Sequence, residues 1–110
     1  MNLLLLTERD RVEAQHYAVS DRRLDHLIKV HRANAGDTLR VGLVDGLMGE
    51  ARIEEIGKNR ALLSANLDTP PPPKLPLSLI LALPRPKMLR RVLRTVAELG
   101  VAELHLINSY

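Results

Sequence analysis

Between residues 38 and 67, apolar and polar side chains alternate with a period of two, the signature of half-buried strands. Leu39, Val41 and Leu43 fall on one side of the first run, and Asp45-Gly46 then marks a hairpin turn. The return run carries Leu47, Ala51 and Ile53 inward with Glu50, Arg52 and Glu54 outward. Gly57-Lys-Asn59 is a second turn and residues 60–67 a further strand. Upstream, residues 3–6 and 15–19 read as strands separated by a charged turn over residues 7–11. Several short strands and one helix suggest a small β-barrel.

Two stretches change period. From Ser20, which can cap a helix, the apolar stripe is Leu24, Leu27, Ile28 and His31, with Asp21 near the positive end of the dipole and residues 34–36 ending the element. Further on, residues 75–83 form a near-continuous apolar run of strand length. A helix follows with Leu89, Val92, Leu93, Val96 and Leu99 on one face and Lys87, Arg91, Arg94 and Glu98 on another. Pro86 suits its first turn and Gly100 the left-handed position just past its end. With a strand over 104–107, residues 77–107 read as one β-α-β unit, right-handed by rule.

Between the two regions, Asp68-Thr-Pro-Pro-Pro-Pro-Lys-Leu-Pro76 is the clearest boundary, its prolines favouring an extended spacer of about 3.1 Å per residue. The expected division is a domain over 1–69, a linker over 70–76 and a second domain beginning at 77. Burying Leu77, Leu79, Ile80, Leu81 and Leu83 would contribute roughly 7–15 kcal/mol, comparable with a whole domain's net stability. Two strands and one helix cannot cover both faces of such a strand, so the pattern predicts a longer α/β protein of which this is the front end.

Composition narrows the chemistry. The 110 residues are 45% apolar, but only Tyr17 and Tyr110 are aromatic, which argues against base recognition by stacked aromatic rings. Cysteine is absent, which excludes disulfides, thiolate metal sites and cysteine nucleophiles and fits a reducing cytoplasm. Residues 1–6 lack the basic start of a signal peptide, and no apolar run reaches membrane-spanning length. The net charge of +3 leans toward an anionic partner.

Catalytic motifs are missing. His26 and His31 are five apart, not the three or four that align ligands on a helix, and His16 and His105 join no cluster, so no metal is expected. His31 is expected to lie against the barrel, with His26 facing solvent. The serines sit in no nucleophile turn, and no glycine-rich phosphate loop follows a strand. The placement of cations is more informative: Arg22, Arg23, His26, Lys29 and Arg32 could line the first helix, and Lys87, Arg90, Arg91 and Arg94 the second. Two basic faces flanking a stiff linker favour binding to an RNA backbone.

Three segments carry a resemblance. Leu24-Asp-His-Leu-Ile-Lys-Val-His-Arg32 with Gly36-Asp37, then Asp45-Gly46, then Lys87 through Ala97-Glu-Leu-Gly-Val101, resemble in order the bacterial uridine-N3 methyltransferases of small-subunit (16S) ribosomal RNA. The resemblance implies an N-terminal PUA-like barrel that recognises RNA and a C-terminal SPOUT domain whose trefoil knot binds S-adenosylmethionine, with an active site formed across a homodimer. The knot lies in that family beyond the position of Tyr110, so no catalytic or cofactor-binding residue is assigned in this chain. His31 stands where the family usually has leucine, and Thr95 where lysine is common.

The reading is therefore a PUA-like β-barrel followed by the first β-α-β of a SPOUT domain, from a cytoplasmic methyltransferase of 16S ribosomal RNA with no metal. RNA contacts are expected from Arg22, Arg23, His26, Lys29, Arg32, Lys87, Arg90 and Arg94. The partners expected are 16S ribosomal RNA or the small ribosomal subunit and a second copy of the chain, with no membrane. Alternatives are a stand-alone PUA-like RNA-binding module with a dimerising β-α-β tail, and a nucleotide-binding α/β domain using the junction from Pro84 to Lys87.

Overall fold

The computed structural model describes residues 3–109. The chain divides into two compact units, Met1–Pro71 and Pro72–Tyr110, with no helix or strand over residues 70–74.

In the first unit the alternating runs become β1 (Leu4–Leu6), β2 (Arg11–Glu13), β3 (His16–Val19), β4 (Thr38–Leu43), β5 (Met48–Ile56) and β6 (Ala61–Thr69), with one helix, α1 (Arg22–Lys29). They form a single sheet in the order β1-β4-β5-β6-β3-β2, in which β1 pairs with β4 in parallel and the other neighbours are antiparallel. β1 and β2 are the two edges, so the expected barrel is an open, curled mixed sheet. The segment read as a charged turn holds a short 3-10 turn (Glu8–Asp10) and the additional strand β2.

Burial follows the alternation. Leu4 and Leu6 are buried while Leu5 between them is 52% exposed, and Ala61, Leu63 and Ala65 point inward from β6. They meet Tyr17, Val19, Val41, Ala51 and Ile53 from the other strands and Leu24 and Leu27 from α1 in one core. Each large side chain there contributes about 1.5–3 kcal/mol.

One position depends on having no side chain. At Gly49 the ladder to β6 shifts register, and a Cβ would run into the backbone of Asn66 and Leu67. Gly49→Ala is expected to destabilise the first unit by about 1–3 kcal/mol, read as a lower urea midpoint. An unchanged midpoint would mean that the strands can part there freely.

Local chemistry adjusts three expectations. The helix cap is Asp21 rather than Ser20, its carboxylate accepting from the Arg23 N–H at 2.9 Å. α1 ends at Lys29, so His31 leaves the apolar stripe and is exposed. In the hairpin, Asp45 rather than Gly46 takes the left-handed conformation (φ 57°), and Leu47 falls in the turn at 41% exposure instead of facing inward.

The Gly36-Asp37 pair has a clear role. The Gly36 N–H donates to the Ile53 carbonyl at 2.7 Å, and the Ile53 N–H donates to the Asp37 carbonyl at 2.9 Å. Gly36 sits at φ 93°, where a β-carbon would be strained. The Asp37 carboxylate accepts from the Asn34 N–H at 2.8 Å, closing the turn.

The second unit is β7 (Leu75–Ala82), α2 (Pro86–Leu99) and β8 (Val101–Ile107), with β7 and β8 parallel. Pro86 opens α2, and Gly100 at φ 66° closes it by donating to the Val96 and Ala97 carbonyls. The ladder is irregular between Leu75 and Ser78, where Pro76 has no N–H to give. Among the described residues no side chain of this unit is fully buried: Leu77, Ile80 and Leu83 are 47%, 66% and 50% exposed. Leu77 and Leu79 share an apolar groove with Val92 and Val96 of α2. Ser78 donates to Glu103 at 2.9 Å, and His105 lies 3.3 Å from the same carboxylate. Those interactions, the Ser78 bond foremost, hold the Glu103 carboxyl below the usual carboxylate range.

Candidate nucleic-acid interface

An α-helix advances about 100° per residue, so Arg22, His26 and Lys29 fall within roughly 60° of arc, opposite Leu24 and Leu27. The two leucines are buried in the core and the three basic side chains are exposed. Packing thus dictates which way the cations point. Arg22 has no carboxylate within ion-pair range among the described residues, and Lys29 has a loose, exposed pairing with Asp25 at 3.5 Å. Such a pair is worth under about 1 kcal/mol and leaves the ammonium available. Arg32 follows the helix, exposed and left-handed (φ 49°), where the chain reverses toward the Asn34–Asp37 turn.

Arg23 is different. Its guanidinium donates to both carboxylate oxygens of Asp10 at 2.8 Å, to both of Asp21 at 2.8 and 3.1 Å, and to the Leu5 carbonyl at 2.7 Å. The side chains of Arg23 and Asp10 are only 20% and 11% exposed. The bonds from Arg23 hold the Asp10 and Asp21 carboxyls well below the usual range, and the two carboxylates raise Arg23 in turn. This arginine ties β1, the 3-10 turn and the cap of α1 together, so its donors are committed within the chain. Asp10 is thirteen residues from Arg23, a pairing that no local sequence signal announces.

On α2, Lys87, Arg90, Arg91 and Arg94 are all exposed and lie within about 100° of arc opposite Leu89 and Val96. None has a carboxylate partner among the described residues. Arg91 also borders the apolar groove, and the Thr95 hydroxyl donates back to the Arg91 carbonyl at 3.1 Å instead of facing an outside ligand.

Where α1 ends, a hollow opens between it and the start of β4. His31 and Arg40 stand at its rim and Leu27, Leu39 and Ile53 line it. His26 and His31 pack edge to face with ring centroids 4.9 Å apart. Partial desolvation and the neighbouring His26 both lower the His31 pKa. Among the described residues no group of three or more His, Asp or Glu is placed to hold a metal, and no helix is long and apolar enough to cross a membrane.

No protein-family model matches the chain. Its fold is shared with the crystal structure of a ribosomal RNA small subunit methyltransferase E from Neisseria gonorrhoeae bound to S-adenosyl methionine, with a TM-score of 0.78, 20% identity, and coverage of 100% of this chain and 46% of that one. The ribosomal RNA small subunit methyltransferase E of Treponema pallidum is 30% identical over 112 residues, 99% of this chain and 42% of that protein. The ribosomal RNA small subunit methyltransferase E 2 of Borreliella burgdorferi is 31% identical over 85 residues, 76% of this chain and 35% of that protein. The fold is thus one that ribosomal RNA methyltransferases use. Sequence and fold agree: over nearly its whole length the chain is similar to ribosomal RNA small subunit methyltransferase E proteins. It spans less than half the length of the curated relatives it matches.

Proposed function

We propose that this chain is the RNA-docking portion of an S-adenosylmethionine-dependent enzyme that methylates uridine N3 in 16S ribosomal RNA. The observation that carries the reading is the row of exposed cations on α1, aimed outward by two buried leucines in a chain related to ribosomal RNA methyltransferases. Residues 1–69 act as a PUA-like RNA-binding unit, 70–76 as a linker whose last two residues open β7, and 77–110 as the start of a SPOUT domain.

Arg22, His26, Lys29 and Arg32 engage the RNA backbone from the first unit, and Lys87, Arg90 and Arg94 from the second. Arg23 shapes the first surface instead of touching RNA. Phosphate neutralisation of this kind positions the RNA without reading its bases. The enzyme works in the cytoplasm as a homodimer, and its methyl donor binds outside the residues present here.

The placement of the donor site is tested by titrating S-adenosylmethionine into the chain in a calorimeter. No saturable heat is expected. A clear binding isotherm would move the donor site into these residues.

A further inference from the structure

We propose that the hollow between the end of α1 and the start of β4 is a nucleobase subsite, taking one unstacked base of the RNA whose backbone α1 holds. The inference rests on the RNA-docking reading and adds recognition of a base to it. The hollow measures about 470 Å³, ample for a single base; half-buried Ala33 and Leu39 are its apolar lining above the buried Leu27 and Ile53, and the Asp37 carboxylate, which accepts from the Asn34 N–H, lines it too. Thr38 and Arg40 at its edge supply a hydroxyl and a guanidinium that can hydrogen-bond a base.

His31 provides the ring. It is exposed at the mouth, braced edge to face by His26, which shares the exposed face of α1 with Arg22 and Lys29. Arg32, the residue after His31, is exposed and could meet the phosphate of a base that enters here. The lowered pKa favours a neutral imidazole near pH 7, which loses less hydration than an imidazolium when a base covers it. The ring also offers a stacking surface to a sequence poor in tyrosine, phenylalanine and tryptophan.

The test uses the full chain and a fluorescein-labelled hairpin RNA with an unpaired uridine-rich loop, beside the same hairpin carrying abasic sugars in the loop. His31→Leu, which fills the same space without a stacking face, is expected to weaken binding of the intact hairpin about tenfold, as loss of one base stack would. The dependence on salt should not change, since the phosphates keep all their cationic partners. The abasic hairpin should bind the wild type about tenfold less well and be indifferent to His31→Leu, since the stack is already missing. His31→Tyr should retain the affinity for the intact loop.

If His31→Leu and wild type bind both hairpins alike, while reversing Arg22 and Lys29 abolishes binding, the subsite is wrong and the docking surface stands. If the wild type binds neither hairpin, both readings fall. An equal loss on both hairpins with His31→Leu would show a structural role and overturn the subsite.

Discussion

Reversing two charges on α1, Arg22→Glu together with Lys29→Glu, is expected to lower affinity for structured RNA about a hundredfold in low salt. The slope of log affinity against log salt should become shallower by about 0.9 for each phosphate that is no longer neutralised. Both side chains point away from the core, so the fold should survive. The exposed pairing of Lys29 with Asp25 is worth about 0.3–0.5 kcal/mol, and a glutamate near the helix C-terminus costs a similar amount. Circular dichroism should therefore show an intact first unit. The same double reversal at Lys58 and Arg60, between β5 and β6, is the control for net charge. Filter binding or fluorescence anisotropy across a salt series reads the effect, and unchanged affinity and slope would reject α1 as the docking surface.

Removing the clamp acts on the fold itself. Arg23→Ala removes the countercharge of Asp10, whose side chain is 11% exposed and keeps just the Thr7 N–H and hydroxyl as donors, and deprives the Leu5 carbonyl of its donor. Breaking a partly buried ion pair of this geometry is expected to cost about 3 kcal/mol, or roughly 4–8 °C of melting temperature for each kcal/mol. Arg23→Lys should fall between, because one ammonium cannot serve two carboxylates and a carbonyl as a fork does.

The pH dependence has a definite sign. Arg23 holds the folded Asp10 carboxyl below its ordinary value of 3.8. The unfolded chain therefore binds the proton first, and the clamp contributes fully above that value and is lost as pH falls through the depressed folded one. Thermal melts of wild type and Arg23→Ala should differ most near neutrality and converge toward acid. A constant gap down to about pH 2 would separate the loss from Asp10.

The sequence makes legible what is encoded locally. α2 declares itself through its 3.6 period, Pro86 and Gly100, all of which act within one or two turns. The strands β4 to β6 follow from an alternation that one buried face enforces. β2 escapes such reasoning because Val12 is its single apolar residue and is 57% exposed, leaving no face to betray a strand. The parallel pairing of β1 with β4 joins segments far apart in the chain and has no local marker. His31 extends the apolar stripe by spacing, yet the helix stops at Lys29 and the ring turns outward instead of lying against the sheet. The site shows the same division. The cationic row of α1 follows from spacing alone, whereas the commitment of Arg23 to Asp10 depends on a fold that brings the 3-10 turn beside the helix cap.

The two backbone bonds joining Gly36 and Asp37 to Ile53 bear on how binding proceeds. They rivet the segment leaving α1 to the middle of the sheet, and with Arg23 fastening the other end the helix is held fore and aft. On the docking proposed above, an incoming RNA would meet a surface already in its final shape, with little protein freedom left to surrender at the encounter. Association should proceed as a rigid-body landing steered by charge, its rate falling with salt and followed by no slow rearrangement, as in complexes whose backbones barely move on docking.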